Sequence, residues 1–272
     1  MNPSNSPSSS YPSPGSEHPI VVDRLSCDEW HAVAGRELLG RGDASRRPDG
    51  RLFVSIDAWQ GAVFDQLAAA MLADLPAPVH TVVDEADQDE LAAWQRCGFT
   101  VARRESGYLV PTDPQRTGLG TVRPPAGVTV LPAGAAQEVP LTELVHAVRA
   151  EVEAAAGWHT MPAEILPSLT GYPVVDPARY AVARQGEAYL GLLRLGGPPG
   201  RNQPRIGLLA VRADQHRRGI ARALLAQVLG EQHRGGRDSV WAEVDQANPA
   251  AVALFEGIGA RRAATTLELV RG

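Results

Sequence analysis

Apolar residues along the second half of the chain switch between two periods. VTVL (128–131), RYAVAR (179–184), AYLGLLRL (188–195), RIGLLAV (205–211), SVWAEV (239–244) and RAATTLELV (262–270) are short apolar or alternating runs of strand length. LTELVHAVRAEVEAA (141–155), the run from Gly219 to about Gln232, and NPAAVALFEGI (248–258) carry the spacing of helices. A shorter helix is predicted around PAEILPSL (162–169), with Pro162 suited to its first turn. Strands joined first by hairpins and then by helices predict an α/β (α+β) fold: a mixed twisted sheet with helices on both faces.

Residues 20–110 give a trimmed version of the same order. IVVDRL is followed by a predicted helix near 27–39, then RLFVSID (51–57), a helix at 61–73 and VHTVVD (79–84). A helix at 88–97 and a strand at 99–110 complete it. VDEADQDELAAWQRCGF (83–99) lies against VDQANPAAVALFEGIGA (244–260) without a gap, and Val, Asp, two Ala and a Gly coincide. The shared element order makes this an internal duplication. Between the halves, PTDPQRTGLGTVRPPAG (111–127) is rich in Pro, Gly and Thr and reads as a linker. The expected organisation is therefore a polar Ser/Pro tail over 1–19, disordered because it cannot bury enough surface to offset chain entropy, then units at 20–110 and 128–272.

Composition narrows the class. Apolar residues at 44% and charged residues at 21% are the balance of a globular protein in water. No apolar stretch approaches the roughly 20 residues of a membrane span, and the first residues lack a secretory pattern, so a cytoplasmic protein without a membrane partner is expected. The net charge is −5, and no basic stripe interleaved with aromatics appears, which argues against nucleic acid. Residues 1–125 carry 17 acidic and 11 basic side chains, residues 126–272 carry 14 and 15. The second half can therefore hold an anionic ligand locally. All 26 basic residues are arginine, which excludes a catalytic lysine. Cys27 and Cys97 have no metal-site spacing; no metal is expected, and Cys97, in an apolar helical stretch, reads as a buried thiol.

The strand ending at Val211 meets the helix starting at Gly219 through VRADQHRRGIA. A helix start offers N–H groups without internal partners, which bind anions. Gly219 and Ala221 keep the turn uncrowded, and Arg217, Arg218 and Arg222 add charge. The same turn also serves as a plain strand-to-helix connection. This strand, turn and helix resemble the acyl-CoA pyrophosphate loop of the GCN5-related N-acetyltransferase (GNAT) superfamily, which reads Gln/Arg-x-x-Gly-x-Gly/Ala. Here it is His216-x-x-Gly219-x-Ala221. The family's second signature, an Asn opening the next helix with an aromatic residue and then a Gly, is similar to Asn248, Phe255 and Gly259. The resemblance covers about 128–272 well and 20–110 only as architecture, so the first half is read as a degenerate copy.

The resemblance implies acetyl-CoA as co-substrate and an amine as acceptor. It implies that backbone groups of Leu209, Ala210 and Val211 pair with the pantetheine arm, which needs an open strand edge. Residues 216–222 (His216, Arg217, Arg218, Gly219, Ile220, Ala221, Arg222) would hold the pyrophosphate, and Asn248 would contact the arm. Asn248 suits a helix N-cap equally well. Glu243, in WAEVDQAN, resembles the base of ribosomal-protein alanine acetyltransferases, although the alternation also lets it face water beside Trp241 and Asp245. Glu151, Glu153, His146 and His159 are alternatives, and Glu164 adds a further acid where a cationic amine could dock. Phe255 stands where the family carries a tyrosine acid, and phenylalanine donates no proton. Two readings follow: an N-acetyltransferase acting on a primary amine of a small molecule or peptide, or a non-catalytic acyl-CoA-binding or interaction module.

Overall fold

The computed structural model of the chain describes residues 18–47, 49–155, 157, 175–196 and 204–272. They form two compact units. One holds the described residues up to Ala44 together with Val54–Pro76, the other the described residues of Ser45–Phe53 and Ala77–Gly272.

In the first unit, β1 (Ile20–Arg24), β2 (Glu29–Ala34) and the part of β3 (Glu37–Arg46) up to Ala44 form an antiparallel meander. The helix expected near 27–39 is thus a hairpin. Burial there has period two: Trp30 and Ala32 on β2, and Gly40, Gly42 and Ala44 on β3, point inward. Glycine adds no apolar signal to a hydropathy pattern, so the alternation on β3 is invisible in composition. Its reason is steric. A Cβ on Gly42 would lie 2.3 Å from Met71 Sδ of α1 (Gly61–Asp74), which buries Val63, Phe64, Leu67, Ala68 and Met71. At the end of α1, Asp74 accepts a hydrogen bond from Trp30 Nε1 at 3.0 Å.

The second unit contains β5 (Val79–Asp84), α2 (Gln88–Arg96), β6 (Thr100–Pro111), the short α3 (Pro114–Thr117), β7 (Val128–Leu131), α4 (Glu138–Ala155), β8 (Tyr180–Gln185), β9 (Ala188–Gly196), β10 (Arg205–Val211), α5 (Ile220–Arg234), β11 (Ser239–Asp245), α6 (Pro249–Glu256) and β12 (Arg261–Arg271). Its strand order is β5-β12-β6-β11-β10-β9-β8-β7. At one edge, Leu52 and Phe53, which begin β4 (Leu52–Ala58), run parallel to Val79 and His80. These elements agree with the predicted ones to within a few residues; the helix predicted at 162–169 lies outside the described residues. Successive residues Leu192 and Leu193 face opposite sides of β9. Leu192 packs with Leu141, Leu144 and Val148 of α4, and Leu193 shares a core with Leu224, Leu225 and Val228 of α5. Helices therefore cover both faces of this part of the sheet.

The central strands are interleaved. β6, last of the first half, pairs with β11 of the second, and β12, last of the second, pairs with β5 of the first. The registers repeat each other. Val83 pairs with Leu267 and Val244 with Ser106, and 83 to 244 and 106 to 267 are the same step of 161 residues. The pair Glu105–Thr266 maps onto itself under that step, and the two ladder irregularities, at Ala102 and Ala263, map onto each other. The β5-β12-β6-β11 sheet thus has a pseudo-two-fold relation about Glu105–Thr266, at the offset that aligns the sequence segments.

The stretch 111–127 lies inside the second unit. Leu119 is buried in the same core as α5, and Thr112 and Thr117 are buried as well. One apolar side chain in a Pro/Gly-rich run is enough to anchor it when a core position lies within reach. Cys97, expected to be buried, is half-buried, because it caps the C-terminus of α2 beyond the inward face that carries Ala93 and Trp94. No helix among the described residues is long and apolar enough to cross a membrane.

Residues 128–272 expressed alone would leave β11 and β12 without the strand between them, exposing two long unpaired edges. That fragment is expected to fail as a folded monomer, giving aggregates or a disordered circular-dichroism spectrum. Co-expression with 1–127 is expected to restore a cooperative transition. A monomeric fragment with the thermal midpoint of the whole chain would contradict the interleaved core.

Candidate functional site

β10 begins as an ordinary interior strand and then parts from its neighbour. It pairs in parallel with β11 only at Arg205–Trp241 and Ile206–Ala242, and the ladder to β9 shifts between Ile206 and Leu208. From Leu208 to Val211 its partner is β9 alone. The N–H of Arg212 donates to Leu190 O at 2.8 Å. In an antiparallel ladder bonded pairs alternate, so Ala210 bonds Leu192, while the backbone groups of Leu209 and Val211 turn away from β9 toward the opening. The expectation that Leu209, Ala210 and Val211 all face a ligand is therefore corrected at Ala210, whose polar groups are spent on β9.

A 3-10 turn at Ala213–Gln215 leads from β10 into the glycine turn. Arg217 has φ +60, a left-handed conformation that costs a non-glycine residue about 1–2 kcal/mol. Gly219 follows with φ +89 as the N-cap of α5, and no atom lies within 4 Å of the Cβ it lacks. The first intrahelical bond runs from Ala223 N to Gly219 O at 3.0 Å. The N–H groups of Ile220, Ala221 and Arg222 precede it, and no side chain caps them. An absent cap costs about 1 kcal/mol. Ile220, Leu224, Leu225, Val228 and Leu229 are at most 1% exposed and stabilise the helix by about 2 kcal/mol each, so packing holds the uncapped start in place. His216, Arg217, Arg218 and Gly219 are exposed, and Ala221 and Arg222 half-exposed. Not all of them face outward with free polar atoms: His216 Nε2 lies 2.8 Å from Val211 O, and Arg218 Nη1 bonds Gln215 Oε1.

Glu151, on the last turns of α4, reaches this loop. Its Oε1 accepts from Arg212 Nε at 2.5 Å and its Oε2 from Ala213 N at 2.8 Å. Sequence reasoning grouped Glu151 with the candidate bases; the structure commits both of its oxygens to the loop. Glu153 and His146 are exposed on α4, and His159 and Glu164 lie outside the described residues.

On β11, Val240, Ala242 and Val244 are buried, while Trp241, Glu243 and Asp245 share the opposite, half-exposed face. Glu243 stands one residue beyond the last β10–β11 pair, at the mouth of the opening. It is not simply solvated: Oε1 accepts from Trp241 Nε1 at 2.9 Å, and Oε2 pairs with Arg205 Nη2. Asn248 caps α6, its Oδ1 accepting from Ala251 N at 3.0 Å, which leaves the Nδ2 donors. Phe255 is buried and stacks on Tyr108, with ring centroids 6.2 Å apart and planes at 20°. The hydroxyl next to Phe255 thus belongs to β6. Tyr108 Oη donates to Glu256 Oε1 at 3.1 Å, and Arg262 lies over the ring. Nothing local in the sequence signals this neighbour, because it depends on β6 entering between β11 and β12. Among the described residues, no three His, Cys, Asp or Glu side chains are grouped to hold a metal ion.

The geometry agrees with known proteins. Residues 149–260 match the model of the acetyltransferase (GNAT) family. A stretch of 51 residues is 41% identical to the ribosomal protein bS18-alanine N-acetyltransferase of Escherichia coli strain K12, covering 19% of this chain and 34% of that enzyme. The chain thus spans about a third of the length of the curated relatives it matches. Among solved structures, a GCN5-related N-acetyltransferase from Sphaerobacter thermophilus superposes with a TM-score of 0.63 at 17% identity, covering 91% of this chain and 81% of that one. A tandem GNAT protein from the clavulanic acid biosynthesis pathway gives 0.61 at 14% identity, with 90% and 82% covered. At such identities the likeness is one of fold. With both loop signatures in place on it, the matched segment 149–260 belongs to the acetyltransferase (GNAT) family.

Proposed function

We propose that the second half of the chain transfers an acetyl group from acetyl-CoA to a primary amine of a small molecule or peptide. One observation carries the reading: the opening beside Leu209 and Val211 ends at a helix start with three uncapped N–H groups and open space at Gly219. A ligand that joins an amide-bearing arm to a pyrophosphate suits both features, the arm along the strand edge and the anion at the helix end.

In this reading Leu209 and Val211 offer backbone groups to the arm, and the N–H groups of Ile220, Ala221 and Arg222 with Arg217 and Arg218 hold the pyrophosphate. Acetyl-CoA supplies an activated thioester: the amine nitrogen bonds its carbonyl carbon, the carbon–sulfur bond breaks, and sulfur leaves as the thiolate. One amine proton must be removed, a step in which a positioned base is worth about 10² to 10⁴ in rate. Glu243 takes it, directly or through water. An incoming ammonium bears the charge that Arg205 carries, so it can replace Arg205 at Oε2 and give one proton to Glu243, while the second proton, lost after attack, passes to the departing thiolate. An acyl-CoA-binding module without turnover is the second reading, favoured by the buried Phe255 and by the ion pair on Glu243. Calorimetric binding of acetyl-CoA without acetylation of any amine in a broad panel would select it.

Gly219→Glu places a carboxylate and a bulky side chain where the phosphates would sit. Calorimetric titration is expected to give micromolar acetyl-CoA binding by the wild type and at least about a hundredfold loss in the variant, the size of a lost charge-assisted contact plus a new repulsion. A well-folded wild type that does not bind acetyl-CoA would overturn the reading. Asn248 separates a cap from a ligand role. Asn248→Ala is expected to lower stability by about 1 kcal/mol in urea unfolding. Asn248→Asp keeps the cap but lacks the Nδ2 donors, so it should retain stability and lose acetyl-CoA affinity. Unchanged affinity in the Asp variant would confine Asn248 to capping.

A further inference from the structure

We infer that Glu151 is a positioning residue that presets the β10–α5 loop for an anionic ligand, rather than the proton acceptor its place on α4 suggests. The inference rests on the acetyl-CoA reading above. Glu151 sits one turn beyond Val148 and two beyond Leu144, both buried, so the carboxylate is carried on an anchored helix face. It takes two donors from adjacent residues of the loop, the Arg212 side chain and the Ala213 backbone. Arg212 N is itself bonded to Leu190 O, which ties the same point to β9. Beyond it, His216 returns to Val211 O and Arg218 to Gln215, so the segment from Val211 to Arg218 is closed on itself.

Charge and geometry separate the two parts of this clamp. Arg212 is 37% exposed, and an ion pair at that exposure contributes little by itself. The bond to Ala213 N is directional and fixes where the backbone turns. A carboxylate near a phosphate seat also opposes anion binding, an effect that Arg212 neutralises. Glu151 therefore serves the site through loop order: without it the loop populates other conformers, and apparent affinity falls with the competent fraction. Both carboxylate oxygens are engaged by loop donors, so the side chain is turned to the loop.

The test uses the full chain as wild type, Glu151→Ala and Glu151→Gln, each checked for an unchanged circular-dichroism spectrum. Hydrogen–deuterium exchange of residues 213–219 without ligand reads the clamp directly. Titration with acetyl-CoA and with S-acetylpantetheine, which lacks the pyrophosphate, reads its consequence. Glu151→Ala should speed exchange and weaken acetyl-CoA by about tenfold, leave S-acetylpantetheine unaffected, and raise KM for acetyl-CoA with kcat unchanged. Glu151→Gln, which still accepts from Ala213, should stay within about threefold of wild type. Unchanged exchange in Glu151→Ala would overturn the clamp, and a collapse of kcat with acetyl-CoA affinity intact would make Glu151 the base instead. Wild type that binds no acetyl-CoA would remove the functional reading, while the exchange measurement would still decide whether the clamp exists.

Discussion

The pairing of β6 with β11 is the contact on which the site depends. β11 keeps only two residues in register with β10 and then leaves it. Releasing a strand edge from an interior position costs backbone hydrogen bonds that must be replaced. β6 holds the other edge, in register with all seven residues from Ser239 to Asp245. Fully satisfied along that edge, β11 can open its second edge toward Leu209 and Val211. The same strand brings Tyr108 against Phe255. A piece of the first half thus forms part of the core under the second half's opening, which gives that half a physical role even though residues 58–61, where β4 gives way to α1, contain no arginine.

Arginine shapes the uncovered face of these central strands. Arg103 pairs with Glu105 and Asp245, Arg205 with Glu243, and Arg51 with Asp49 and Glu268, which also accepts from His80 Nδ1 at 3.0 Å. A planar guanidinium can bridge two carboxylates at fixed angles, which suits acids on neighbouring strands better than a lysine would. Most of these groups are between 9% and 32% exposed, so each carboxylate needs its partner to remain charged at tolerable cost. This is the setting of Glu243: a candidate base inside an ion-pair network, whose availability depends on what replaces Arg205.

Much of the fold was legible from the sequence. Fourteen of the strands and helices named from periodicity between 51 and 270 recur among the described residues, because each is a local pattern set by the burial of one face. The hairpin at 29–46 was not legible, since its inward positions on β3 are glycines and an alanine chosen to admit Met71 and Val63 rather than for hydrophobicity. The turn at His216–Gly219 was legible as a helix start with unusual backbone freedom. That Ala210 bonds β9 was not, because it follows from the phase of a ladder. Glu151 and Glu243 looked alike in sequence, both acids near a predicted site, and differ only in which donors reach them.

The sequence by itself determined the order of the elements named from β4 onward, the glycine that starts α5, the Asn that starts α6 and the absence of a hydroxyl at Phe255. These are properties of neighbouring residues, dictated by backbone sterics, side-chain chemistry and period. The tertiary structure alone decided which strands adjoin, where β10 and β11 part, and which carboxylates are already occupied. The reason is the separation of the partners: β6 and β11 meet across more than 120 residues, and Glu151 meets Ala213 across 62. No local pattern encodes such a meeting, because it results from the chain burying its apolar faces at once while keeping most backbone groups paired.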